Sequence, residues 1–173
     1  TVAFSLLGDR VAVKAGARIG GTGFGFASDA GGHLRMPQIG RAILQDDVDV
    51  GANSTVDRGA IGDTVIGEGP KVGNLGQIGP NRRIARHCVL VSPVGLAGSV
   101  TLEDFVVLGG KVGVADHIRI GAGAQVAAKS GVTNDIPAGA VYAGFPARPV
   151  GEWRRSHAVV SRLVRKSRRR SKP

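Results

Sequence analysis

From Ile66 to Val132 every sixth residue is aliphatic: Ile66, Val72, Ile78, Ile84, Leu90, Leu96, Leu102, Leu108, Val114, Ile120, Val126 and Val132. The residue that follows is mostly tiny, as at Gly67, Gly73, Gly79, Ala85, Ala97, Gly109, Ala115, Gly121 and Ala127. A second apolar position falls four residues after the aliphatic, at Val94, Val100, Val106, Val112, Ile118 and Ala124. Two earlier blocks, Leu7, Val13, Ile19 and Leu44, Val50, Val56, keep the same step. A step of six matches neither the 3.6 of a helix nor the 2 of an isolated strand. It predicts an all-β fold, a parallel β-helix of hexapeptides in which each hexad gives one short strand and a turn. Three hexads close one coil, and coils stack at the ordinary strand spacing of ~4.8 Å. The aliphatics line the inside as ladders, and small residues follow them where a corner leaves no room. The long run makes four coils and the earlier blocks add about two.

Composition agrees. The chain of 173 residues holds 28 Gly and few aromatics, which suits many tight turns better than a bulky core. Cys88 is the one cysteine, so no internal disulfide forms. No apolar run approaches the ~18 residues of a membrane span, and the N-terminus has no signal-peptide pattern. The net charge is +10, but residues 154–173 hold nine Lys/Arg and no acid; without those nine the body carries +1. Electrostatic attraction to partners therefore concerns the tail. The expected organisation is a hexapeptide β-helix over 1–134, a Pro/Gly-rich exit over 135–151, and an amphipathic helix with a basic tail over 152–173. Residues 20–43 interrupt the ladder as a Gly-rich flap carrying Phe24, Phe26, His33 and Met36, and Gly62-Asp63 marks a smaller break. Trp153, His157, Val160 and Val164 fall on one face of the helix, which should run to about Lys166, with RRRSKP disordered.

Four segments go beyond a generic hexapeptide pattern: GTGFGFA (21–27), MPQIGR (36–41), VGANSTVDRGAIGDTVIGEG (50–69) and VYAGFPARPVGEWRR (141–155). Together, and in order, they resemble the UDP-3-O-acylglucosamine N-acyltransferases of lipid A biosynthesis across essentially the whole chain. The resemblance implies a left-handed β-helix, a cytoplasmic homotrimer, and active sites in clefts between subunits. It implies transfer of a 3-hydroxyacyl chain from acyl carrier protein to the 2-amino group of a UDP-3-O-acylglucosamine, with no cofactor beyond the carrier thioester. The acidic carrier protein would suit the basic C-terminal helix and tail. It also implies that the chain is the catalytic half only, without the N-terminal domain that grips the uracil.

Amide formation needs a proton acceptor near the amine and donors for the oxyanion. The family's base is a histidine in a segment that aligns with VGNLGQIGPNRRIARH (72–87). The two Asn positions persist as Asn74 and Asn81, the Asp position is Gly73, and the histidine position is Pro80, which cannot be a base. The packing rule breaks in the same place. Pro70, Gly76 and Arg82 take the fourth position, where later coils have Val or Ile. Arg82 either snorkels to a coil edge or distorts its coil.

The resemblance matches His117 to a second family histidine that binds or orients substrate; by itself it reads as a solvated corner residue. Asp57, in VDRGA, matches a family acid near the cleft or else caps turn N–H groups. Gly98 matches the residue that turns a backbone N–H to the thioester oxygen, or is a corner glycine. Phe24, Phe26 and His33 border the substrate or pack the flap on its own coil. His87 and Cys88 adjoin, but Cys88 sits at an inward ladder position and reads as core. Histidine spacing for a zinc site is absent, so no metal is expected. Nothing but charge suggests nucleic acid, and none is expected as a partner. Two functions remain: an acyltransferase, or a catalytically inactive trimeric scaffold that binds acyl carrier protein or acylated nucleotide.

Overall fold

A computed structural model describes residues 1–170. Its core is a parallel β-solenoid with three faces. The first face stacks Ser5–Leu7, Ala42–Leu44, Thr64–Ile66, Arg83–Ile84, Thr101–Leu102 and Arg119–Ile120. The second runs from Ala12–Val13 through Asp49–Val50, Lys71–Val72, Val89–Leu90, Val107–Leu108 and Gln125–Val126 to Val141–Ala143. The third stacks Arg18–Gly21, Thr55–Asp57, Gln77–Ile78, Gly95–Leu96, Gly113–Val114 and Gly131–Val132. In the regular coils the register steps by eighteen: Ile78 pairs with Leu96, Ile84 with Leu102 and Leu90 with Leu108. The aliphatic ladder is the core, with Ile66, Ile78, Ile84, Leu102, Leu108 and Ile120 all within 1% of full burial.

The corners are not the glycine turns that the small residues suggested. Most corners place one residue in the left-handed region, and most of these are not glycine: Arg10, Asp47, His87 and Phe105 in one column, Asn53, Leu75, Lys111 and Lys129 in the next, Asn81, Ser99 and His117 in the third. That conformation costs an L-residue roughly 1–2 kcal/mol. Stacking offsets it at most of these corners, where the residue donates its N–H to the coil before it: His87 to Glu68 O at 2.9 Å, Phe105 to Arg86 O at 2.9 Å, His117 to Gly98 O at 3.0 Å.

Two detours leave the solenoid at the same corner, between the third face and the first. One joins Arg18–Gly21 to Ala42–Leu44, the other Thr55–Asp57 to Thr64–Ile66. The first is an antiparallel hairpin, Phe26–Asp29 against Gly32–Arg35, where the sequence suggested an irregular loop. Its expected end at residue 43 is too late, since Ala42 is already a buried ladder residue. The detours hold each other: Ile39 N–H donates to Ala60 O at 2.7 Å and Gly40 N–H to Gly59 O at 3.0 Å.

The solenoid also runs past residue 134. Tyr142 pairs with Val126, and Ile136 bridges to Ile120. Arg148–Pro149 then turns back antiparallel and the helix Val150–Arg170 begins. It starts two residues before, and ends beyond, the span expected from its apolar stripe. Trp153 stacks on His157 with 4.4 Å between ring centroids, while Val160 is exposed. The side chain of Val164 and residues 171–173 of the terminal RRRSKP lie outside the described residues. Among the described residues, no helix is long and apolar enough to cross a membrane.

Candidate active site

The outer surface of the third face is a trough of about 710 Å³. Its floor exists because side chains are missing. Gly95, Gly113 and Gly131 stand in register on successive coils. A Cβ built on Gly95 or Gly113 would meet nothing within 4 Å, so both open onto empty space. Lys111 and Lys129, from the second corner column, form one wall, and Gly98 and Ala115 lie toward the other. Phe24 of the flap and Asp57 close one end; at the other, Phe145 lies over Gly131, where a Cβ would sit 2.0 Å from its ring. The column was legible in the sequence as glycine at a spacing of eighteen, and the lysines repeat at the same spacing.

Of the residues singled out from sequence, the trough gathers Phe24, Asp57, Pro80 and Gly98. Pro80 is half-buried on its wall. A Cβ on Gly23 would come within 2.9 Å of its ring, so the flap crosses directly over it. Phe26 and His33 face a second hollow of about 600 Å³ with Ser28 and Met36; Phe24 borders both. His33 Nδ1 is 2.7 Å from Ser28 Oγ, and Phe24 meets Phe26 edge to face at 5.1 Å.

Asn74 and Asn81 do not line the trough, and both have visible structural work. Asn74 Oδ1 accepts the N–H of Ala52 at 2.8 Å, and Asn81 Oδ1 that of Ala60 at 2.8 Å, tying each corner to the coil beneath. His117 is exposed at the third corner, one coil beyond Gly98 and two beyond Pro80. His87 and Cys88 are no dyad. His87 stacks outward on Phe105 at 5.2 Å, while Cys88 is fully buried with its thiol donating to Glu103 O at 3.1 Å. Burial pushes that thiol up to about 11.

Arg82 neither reaches the coil edge nor breaks its coil. It is 1% exposed. Its Nε donates to Gly79 O at 2.8 Å and its Nη2 to Leu96 O, and Nη1 has no partner. Strand pairing holds on either side, but the coil-to-coil bonds lengthen around it. Gly79 N–H to Leu96 O is 3.4 Å, Ser99 to Pro80 O 3.2 Å and Arg83 to Val100 O 3.2 Å. One coil later the equivalent distances are 2.9, 3.0 and 2.9 Å. Gly76, the neighbouring exception, is compensated by Ser54, whose hydroxyl accepts its N–H at 3.0 Å.

Asp57 does not cap a turn. Asp46, Asp63, Asp104 and Asp135 each accept a backbone N–H, while among the described residues Asp57 accepts none. Burial pushes its carboxyl up to about 6, and the Arg82 cation works against that push. Arg82 in turn is pulled down to about 9 by burial, with Asp57 opposing, and stays cationic at neutral pH. The charged lining is thus Asp57 against Arg82, Lys111 and Lys129, a site suited to an anionic ligand. Among the described residues, no group of three or more His, Cys, Asp or Glu side chains could hold a metal ion.

No family model matches the chain. It is 56% identical over 168 residues to the UDP-3-O-acylglucosamine N-acyltransferase of Methylobacterium nodulans, a match covering 97% of this chain and 48% of that protein. It is 57% identical over 164 residues to the protein of the same name from Methylobacterium sp. strain 4-46, with coverage of 95% and 47%. The chain thus spans about half the length of the curated relatives it matches. Among solved structures, the UDP-N-acetylglucosamine O-acyltransferase of Moraxella catarrhalis superposes with a TM-score of 0.74, at 23% identity, over 84% of this chain and 55% of that one. At that identity the likeness concerns the fold alone.

Proposed function

We propose that this chain, which belongs to the UDP-3-O-acylglucosamine N-acyltransferase family over the half of those proteins that it spans, transfers an acyl group from a carrier thioester to a sugar amine in the glycine-floored trough. The observation that carries the reading is that floor. A narrow groove without side chains admits an extended, unbranched thioester arm, and the lysine wall favours a donor or acceptor that bears phosphate. Gly98 supports the same reading. Its carbonyl is taken by His117, and among the described residues its own N–H has no acceptor, as an oxyanion donor requires. Asn74 and Asn81 serve by holding the corners, His117 by reaching a substrate that extends past the edge, and Phe24, Phe26 and His33 by covering the acyl or sugar end. Acyl carrier protein as donor, with the basic helix as its landing surface, a UDP-3-O-acylglucosamine acceptor, a homotrimer and a cytoplasmic setting complete the proposal.

Pro80 favours a second reading, the inactive scaffold. A ring nitrogen locked in a peptide bond takes no proton, and loss of a general base costs about 10²–10⁴ in rate. The deciding assay incubates this chain and its Pro80→His variant with acyl carrier protein thioester and UDP-3-O-acylglucosamine. Product is read by mass, and the trimer is checked by native mass. Amide product from either protein, with the variant the faster, is the expected result. Absence of product from both, while donor and acceptor bind, would leave the scaffold.

A further inference from the structure

Among the described residues, Asp57 is the one carboxylate on the trough lining, and no hydrogen-bond partner occupies it. Asp57 sits on the strand Thr55–Asp57, at the end of the trough that also holds Pro80 and Phe24. Several acids along the solenoid edges, Asp46, Asp47, Asp63, Glu103, Asp104 and Asp135, are committed to N–H groups or arginines. Among the described residues Asp57 forms neither a hydrogen bond nor an ion pair of those kinds, which leaves both its oxygens available. The other charged side chains on the trough lining, Arg82, Lys111 and Lys129, are basic. We propose that the Asp57 carboxylate, in place of a residue at position 80, accepts the proton from the attacking amine. The proposal rests on the acyl-transfer reading above.

The step balances without a co-reactant. The amine nitrogen attacks the thioester carbonyl carbon. A C–N bond forms as the C–S bond breaks, and the N–H proton passes to Asp57. The carboxyl then gives that proton to the departing thiolate, leaving an amide, a free thiol and the original carboxylate. A carboxylate in open water is a weak base for this task. Partial burial makes Asp57 a better one, and the buried Arg82 keeps it ionised at neutral pH.

The surroundings fix which groups could share a pH profile with it. Arg82 faces it from the next coil. Arg58, the adjacent residue, is engaged elsewhere, with Nε on Gly40 O at 2.7 Å and its guanidinium 3.8 Å from the Phe4 ring centre. Arg18, on the preceding strand of the same sheet, reaches Thr1. From the flap, the strand before it approaches Asp57 through Gly21, where a Cβ would lie 3.8 Å from Oδ1, and Phe24 carries no charge. Lys111 and Lys129 lie farther along the trough. His33 and His117 lie off the lining.

The test measures kcat/KM for acyl transfer against pH in the whole chain and in Asp57→Asn, Pro80→His, the double variant and Arg82→Val. Wild type should lose rate on an acid limb near pH 6. Asp57→Asn should fall about 10²–10⁴-fold and lose that limb. In the Pro80→His background, where imidazole supplies a base, the loss from Asp57→Asn should shrink at least tenfold. Arg82→Val removes the cation that holds the carboxyl down, so the limb should move to higher pH. Asp57→Asn within threefold of wild type, or equally damaging in both backgrounds, overturns the proposal. Should Asp57→Asn fail to fold, an unmoved limb in Arg82→Val overturns it as well. An active Pro80→His beside an inert wild type overturns this inference alone and leaves the acyltransferase reading standing. Inertness of every form overturns both.

Discussion

Replacing Arg82 with valine should stabilise the protein. The side chain is 1% exposed inside the prism, where Val94, Val100 and Val112 fill the same phase in later coils at 1–2% exposure. Burying an ion costs several kcal/mol even after relaxation. Its bonds to Gly79 O and Leu96 O return about 1.5–3 kcal/mol each, and the unpartnered Nη1 forfeits about 1–3 kcal/mol. No carboxylate forms an ion pair with it within 4 Å among the described residues. Valine also buries apolar surface where arginine buries charge. By analogy with buried ionic groups replaced by apolar ones, the gain should be about 1–4 kcal/mol. At ~2–4 °C per kcal/mol for a chain of this size, thermal melting at fixed protein concentration should show a rise of at least about 2 °C. The stretched bond from Gly79 to Leu96 should shorten at the same time. A second substitution checks the cause. A Cβ on Gly79 would sit 2.5 Å from Arg82 Nη2, so Gly79→Ala should destabilise wild type and be tolerated beside Arg82→Val, with a coupling of about 0.5–3 kcal/mol. A lower melting point for Arg82→Val, or additive effects of the two changes, would refute the reasoning.

Two further outcomes follow from titrating groups. Cys88 is buried and its thiol is pushed up to about 11, so a thiol reagent at pH 8 should label the protein only after unfolding; rapid native labelling would contradict an inward Cys88. The folded Asp57 holds its proton up to about pH 6, whereas the unfolded side chain releases it near 3.9. The folded state therefore binds more protons in that window, and its stability falls as pH rises through it. Asp57→Asn should match wild type at pH 4, become the more stable by pH 7 and stay so above; a gap independent of pH would count against a desolvated carboxylate.

The solenoid was readable because a step of six leaves no other regular structure in phase, and the ladder residues from Ile66 to Val132 are buried as that phase requires. Local signals misled where stacking overrode them. Nothing about Leu75, Phe105 or Lys129 as residue types suggests a left-handed corner. They hold one because the neighbouring coil accepts their N–H groups, which no single hexad reveals. Pro137 and Gly139 read as an exit, yet the chain pairs two more strands beyond them. Pro80 was visible as a proline where the resemblance expects a histidine base. The vacancy of Asp57 was not, since a VDRGA turn looks like a capping site until its N–H groups are seen bonded elsewhere. The trough floor went unnoticed for a different reason: a column of glycines carries no chemistry until the eighteen-residue stacking aligns them.

Both departures from the coil, the hairpin and the shorter excursion, emerge at one edge and brace each other there. Lengthening such an excursion adds little closure entropy, and the other two edges never register the change. The prism is thereby divided in kind. Two of its ridges repeat a fixed pattern that keeps the stack in step, while the third is free to vary at its lower end, beside the trough. Sequence can drift along that single ridge while the rest of the column folds as before.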